Sequence, residues 1–110
     1  MKNKTPAVRQ GDILILPVKS IPPTATQAAP TNGRLVVALG EATGHHHSFH
    51  HRPGITMFRD DGAGGALYLK TTEPVPLEHQ EHTALVIQPG TYRVVNQRVA
   101  VSGLVRRVVD

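Results

Sequence analysis

At 110 residues and 11.9 kDa the chain amounts to one domain, and a chain of that size buries roughly 60–70% of its unfolded surface. With no cysteine, disulfides, thiolate zinc sites, iron–sulfur ligation and cysteine nucleophiles are all excluded. At 39% hydrophobic and 18% charged the composition is too apolar for a disordered tail, and no apolar run approaches the ~18 residues of a spanning helix.

The start, Met1-Lys-Asn-Lys-Thr-Pro6, is basic but carries no apolar stretch behind it. It therefore predicts no signal peptide, and a cytoplasmic protein with residues 1–8 as a flexible N-terminus. The net charge of +4 is uneven: Arg93, Arg98, Arg106 and Arg107 face only Asp110 in the last stretch. Such a strip suits a solvated strand face, an acidic protein partner or nucleic-acid phosphates. Two Tyr, two Phe and no Trp leave little for bases to stack on, which disfavours single-stranded nucleic acid.

Nine Pro and ten Gly cut the chain into short pieces, and no piece carries a 3.6-residue apolar period. The first strand reads over 12–18, opened by Gly11 and interrupted at Pro17, where an edge or bulge is expected. Residues 21–32 read as a polar connector. A second strand covers 34–39. Residues 55–58 and 67–70 flank Asp60-Asp-Gly-Ala-Gly-Gly65, a hairpin loop by composition. Residues 83–87 and 91–95 flank a tight connection at 88–90, and 99–109 predicts one or two further strands. Seven to nine short strands of this kind predict an all-β single domain, residues 1–110, built as a small antiparallel barrel or sandwich.

All seven histidines fall in two places, Thr43-Gly-His-His-His-Ser-Phe-His-His51 and Leu77-Glu-His-Gln-Glu-His82. On a strand, alternate side chains share a face. His45, His47, Phe49 and His51 then lie on one side, with His46, Ser48 and His50 on the other. Two imidazoles two residues apart can converge on one metal ion at about 2.0–2.1 Å. His79 and His82 meet only if residues 78–82 turn. The predicted ligand set is therefore His45, His47, His79 and His82. Glu41, Glu78 and Glu81 lie near enough in sequence to serve as ligand, orienter or base. A thiolate-free imidazole set suits Zn2+ first, with Ni2+, Cu2+ or Fe2+ as alternatives.

Other motifs fail. A zincin needs His-Glu-x-x-His on a helix, and the order here is Glu-His-Gln-Glu-His. A cupin pattern lacks its spaced Glu and later His. No Gly-x-Ser-x-Gly, phosphate loop or dinucleotide fingerprint is present.

The chain resembles a family of small uncharacterised bacterial and phage-associated proteins of about this length. The resemblance runs through Arg9-Gln-Gly-Asp-Ile-Leu-Ile-Leu-Pro17, Gly40-Glu-Ala-Thr-Gly-His-His-His47, Leu77-Glu-His-Gln-Glu-His82, Pro89-Gly-Thr-Tyr-Arg-Val94 and Asn96-Gln-Arg98. It implies recurring histidines at His45, His47, His79 and His82 but no reaction. Where the family continues Glu-Tyr after Gln-Arg, this chain has Val99-Ala100.

The expected function is metal binding, with four histidines closing a structural or accessory site. The alternative is a hydrolase in which three histidines leave a place for water and Glu81 or Glu41 acts as base. A small barrel offers little wall around a substrate, which favours the first. A basic adaptor facing protein or nucleic acid through Arg93, Arg98, Arg106 and Arg107 is a reading of another class, and self-association stays open.

Overall fold

Val, Ile and Leu runs bounded by Gly and Pro form strands because branched side chains pack well on a pleated surface. The computed structural model describes residues 7–39, 46–79 and 82–96. Within them lie β1 (Val8–Gln10), β2 (Ile13–Pro17), β3 (Thr26–Gln27), β4 (Arg34–Leu39), β5 (His46–His50), β6 (Ile55–Asp60), β7 (Ala66–Thr71), β8 (Val75–Leu77), β9 (Leu85–Ile87) and β10 (Gly90–Asn96), with one 3-10 turn at Asp61–Ala63. Every pairing is antiparallel.

Six strands form one sheet in the order β1-β2-β10-β7-β6-β3, and β4-β5 and β8-β9 form two smaller sheets. The fold is all-β and sandwich-like. It is not a closed barrel, since the large sheet ends at β1 on one side and β3 on the other.

The pleat sends alternate residues inward. Ile13 and Ile15 of β2, Leu69 of β7, and Tyr92 and Val94 of β10 meet Leu35, Val37 and Phe49 from the β4-β5 pair and Val75, Leu77 and Ile87 from the β8-β9 pair in one cluster. Burying each large apolar side chain contributes about 1.5–3 kcal/mol, so this shared core is what seats the two small sheets on the large one. The β4-β5 register slips between Val36 and Ala38, a bulge that lets Val37 join the core while β5 keeps its own alternation.

Two turns matter for the site. Gly11-Asp12 joins β1 to β2 between the paired Gln10 and Ile13, and Gly11 has φ +59°, which only glycine adopts at little cost. Asn32-Gly33, with φ 50° and 77°, closes the Thr31↔Arg34 bridge and delivers Arg34 to the start of β4. Both positive values are those of the tight hairpin turns that match strand twist.

Several sequence expectations need correction. Val8, placed by the sequence in the N-terminal segment 1–8, belongs to β1 and pairs with Ile15. The connector over 21–32 contains β3, a two-residue edge strand paired with β6. The strand β8 escapes the reading because Val75-Pro-Leu is short and holds a proline, and it is tolerated in a two-stranded sheet. The connection at 88–90 is tight, but it passes between sheets: β9 pairs with β8, while β10 inserts between β2 and β7. Thr71 Oγ1 and Tyr92 Oη both donate to the Gln88 carbonyl, at 3.0 and 2.5 Å, and pin that crossing. Pro17 ends β2 beyond the last residue paired with β1, so its missing N–H costs no ladder bond. The strands expected over 99–109 lie outside the described residues.

Candidate metal centre and adjoining cleft

The two histidine clusters meet through one backbone bridge. Ser48 N donates to Glu78 O at 2.9 Å, and Glu78 N donates to Ser48 O at 2.8 Å. Antiparallel pairing of residue 48 with 78 sets residue 47 opposite residue 79. His47 and His79 are thus cross-strand neighbours, with ring centroids 4.3 Å apart. His82 lies 4.5 Å from His79 and 5.8 Å from His47 by ring centroid. Of the four predicted ligands, three come together. His45 lies outside the described residues, as do Glu41 and Glu81.

His47 is 6% exposed and shares its strand face with the core residue Phe49. Its Nδ1 lies 2.8 Å from Gln10 Oε1. Gln10 is itself buried, and its Nε2 donates to the carbonyls of Leu77 at 2.9 Å and Thr83 at 3.0 Å. Two carbonyl acceptors fix which end of the amide is nitrogen, so Oε1 must be the end facing His47. A carbonyl oxygen can only accept, so His47 Nδ1 carries the proton and Nε2 keeps the lone pair.

Burial, followed by the neighbouring His79 and His82, lowers the His47 pKa from 6.5 to about 4, against an opposing pull from Asp12. The ring is therefore neutral at pH 7, the form a metal requires. Gly11 completes the enclosure: a Cβ there would come within 2.9 Å of His82 Nε2 and 3.3 Å of His47 Cε1.

The rings pack on one another, the planes of His47 and His82 being 17° apart. Among the described residues no group of three or more His, Asp or Glu side chains is arranged to hold a metal ion. Three imidazole rings with centroids within 5.8 Å of one another are a nitrogen donor set of the type that divalent transition metals take. Imidazoles bound at ~2.0–2.1 Å in a tetrahedral site have ring centres about 5 Å apart, within the spread found here. His79 is half-buried and His82 exposed.

The opposite face of β5 holds charge. Arg34 Nε donates to Ser48 Oγ at 2.7 Å, Nη2 to Glu78 Oε1 at 2.5 Å, and Nη1 lies 3.0 Å from His50 Nε2. His46 Nδ1 is 3.0 Å from the same Ser48 Oγ. The Arg34 hydrogen bond, aided by the charges of Arg34 and His50, holds the Glu78 carboxyl below its usual pKa despite partial desolvation. His46, Ser48 and His50 share the strand face opposite His47, as the alternation predicts, and Ser48 and His50 help clamp the Glu78 segment to β4 and β5. Beside the clamp opens a cleft of about 430 Å³ lined by Arg34, His46, Ser48, Glu78, His79 and Ala84. His79 belongs to both the imidazole cluster and the cleft.

Gln10, Gly11, Asp12 and Arg34 were not singled out as site residues from the sequence. The first three stand in the Arg9-Gln-Gly-Asp stretch, which carried the family resemblance but no assigned chemistry. Of the basic strip, Arg93 is exposed on β10, and Arg98, Arg106 and Arg107 lie outside the described residues. Among the described residues no helix is long and apolar enough to cross a membrane.

Residues 9–97 match the model of a family described as a domain of unknown function, DUF8820, and the chain belongs to that family. No curated protein and no solved structure matches the chain.

Proposed function

We propose that this member of the family binds one divalent transition metal ion, zinc first, through His47, His79 and His82, with His45 as a further donor. The observation that supports it best is the Gln10–His47 hydrogen bond at 2.8 Å. It gives a buried, neutral imidazole one defined donor atom beside two more imidazoles, as outer partners of metal-bound histidines do. Nickel, copper and iron suit the same nitrogen set.

A structural or accessory role follows if His45 closes the shell. If the fourth position holds water instead, the metal would acidify that water, and Glu41 or Glu81 would be the base. The cleft reaching His79 is the observation in favour of that second reading.

The test is zinc titration of metal-free protein by calorimetry, with elemental analysis of the purified chain. One zinc per chain is expected, lost on His47→Ala or His82→Ala and retained on His50→Ala. Absence of stoichiometric metal, with melting indifferent to chelator, would overturn the proposal.

A further inference from the structure

We infer that the cleft beside His79 is a binding site for the oxyanion group of a small molecule, with Arg34 as its charged anchor. The inference deepens the metal reading by giving the neighbouring site a ligand class, and it is anchored on Arg34, with His79 shared between the two sites.

Arg34 is fixed before any ligand arrives. Ser48, His50 and Glu78 take one N–H each from its five, so the guanidinium plane is set and two N–H groups have no acceptor among the described residues. A pre-ordered fork of that kind matches an oxyanion and avoids most of the ordering cost of binding. The rest of the lining is mostly polar, with His46, Ser48 and His79 beside Arg34 and Ala84 as the apolar contributor. Among the described residues Glu78 is the one carboxylate in the lining, and it is already engaged by Arg34 and lies 3.5 Å from His50 Nε2.

An apolar ligand would bury the two remaining N–H groups without acceptors. An oxyanion satisfies them. The volume of about 430 Å³ lies within the range of roughly 300–1,000 Å³ typical of small-molecule sites, so the charged group arrives on a molecule of modest size. Its position next to His79 brings that group alongside the imidazole cluster.

The experiment is a titration of isotopically labelled, chelator-treated protein with inorganic phosphate, and separately with acetate, following the Arg34 side-chain N–H resonance. A saturable shift is expected for at least one anion, and the stronger response tells a tetrahedral from a planar group. Ala84→Trp fills the cleft from an exposed position without touching the Arg34 clamp. It should weaken the response at least tenfold while the backbone spectrum stays native. Arg34→Lys keeps the charge, loses the fork, and should weaken the response severalfold.

A shift that never saturates, or an Ala84→Trp protein that responds like the unaltered one, would overturn the inference. So would saturable binding of ammonium in place of either anion. Zinc titration of the same samples separates the two proposals: zinc uptake without anion response removes only the cleft site, and anion response without zinc uptake removes only the metal site.

Discussion

The two faces of β5 solve opposite electrostatic problems with the same residue type. On the inner face His47 is buried against like neighbours and stays neutral, its pKa lowered to about 4. On the outer face His50, with a side chain 60% exposed, sits beside an ionised Arg34–Glu78 pair. One step of strand register separates a lone-pair donor from a charged network. Imidazole count alone therefore says little about metal binding; the face decides.

The sharpest break of that contrast is His79→Ala against His50→Ala. Removing His79 deletes one of three donors, and zinc affinity should fall a hundredfold or more. A metal held at a hundred times its dissociation constant adds ~2.7 kcal/mol to stability. That corresponds to roughly 10–20 °C in Tm for a domain of this size. His79→Ala should abolish this zinc-induced shift in thermal melting, while His50→Ala should keep it.

Acid should act on the inner face first. The folded His47 pKa lies below its unfolded value, so between about pH 6.5 and 4 the unfolded chain binds the extra proton. The stabilisation is complete above pH 6.5 and is lost as pH falls toward 4, by roughly 3 kcal/mol at most. Denaturant unfolding of metal-free protein at pH 7 and pH 4.5 should show that loss, and His47→Gln should remove most of it. Glu78 contributes in the same direction but lower in pH, since its pKa is depressed from 4.5.

Gln10 links the large sheet to the donor atom. Gln10→Leu leaves the Leu77 and Thr83 carbonyls and the His47 Nδ1–H without their partner, which costs about 1–3 kcal/mol. It should also reduce zinc affinity by roughly 10–100-fold, the usual effect of losing an outer partner. A Gln10→Leu protein with unaltered zinc affinity would mean that His47 needs no tautomer lock.

The sequence made the strands legible wherever β-branched runs were at least five residues long, as at 13–17 and 34–39. It also made the pairing of His47 with His79 and His82 legible as a possibility of spacing. It could not show that Ser48 and Glu78 bridge, because that register depends on Phe49 and Leu77 finding the same core. Gln10 was hidden for a similar reason: its three partners are 37, 67 and 73 residues away. Arg34 read as the polar start of an apolar strand, and only the Asn32-Gly33 turn swings it over Ser48.

The outer clamp should matter less to stability than its bond count suggests. Arg34 and Glu78 have side chains 23% and 39% exposed, so solvent screens their attraction and a partly exposed pair contributes about 1 kcal/mol or less. Arg34→Met alone should cost more than that, because Glu78 loses its strongest partner and Ser48 Oγ loses a donor in a buried position. The double variant Arg34→Met, Glu78→Met removes both charges together and should recover most of the loss. A coupling of about 1 kcal/mol in a double-mutant cycle, read by denaturant unfolding, is the expected result. No coupling would mean that the Ser48–Glu78 backbone bridge alone holds the two histidine segments together. The outer face would then serve the cleft rather than the fold.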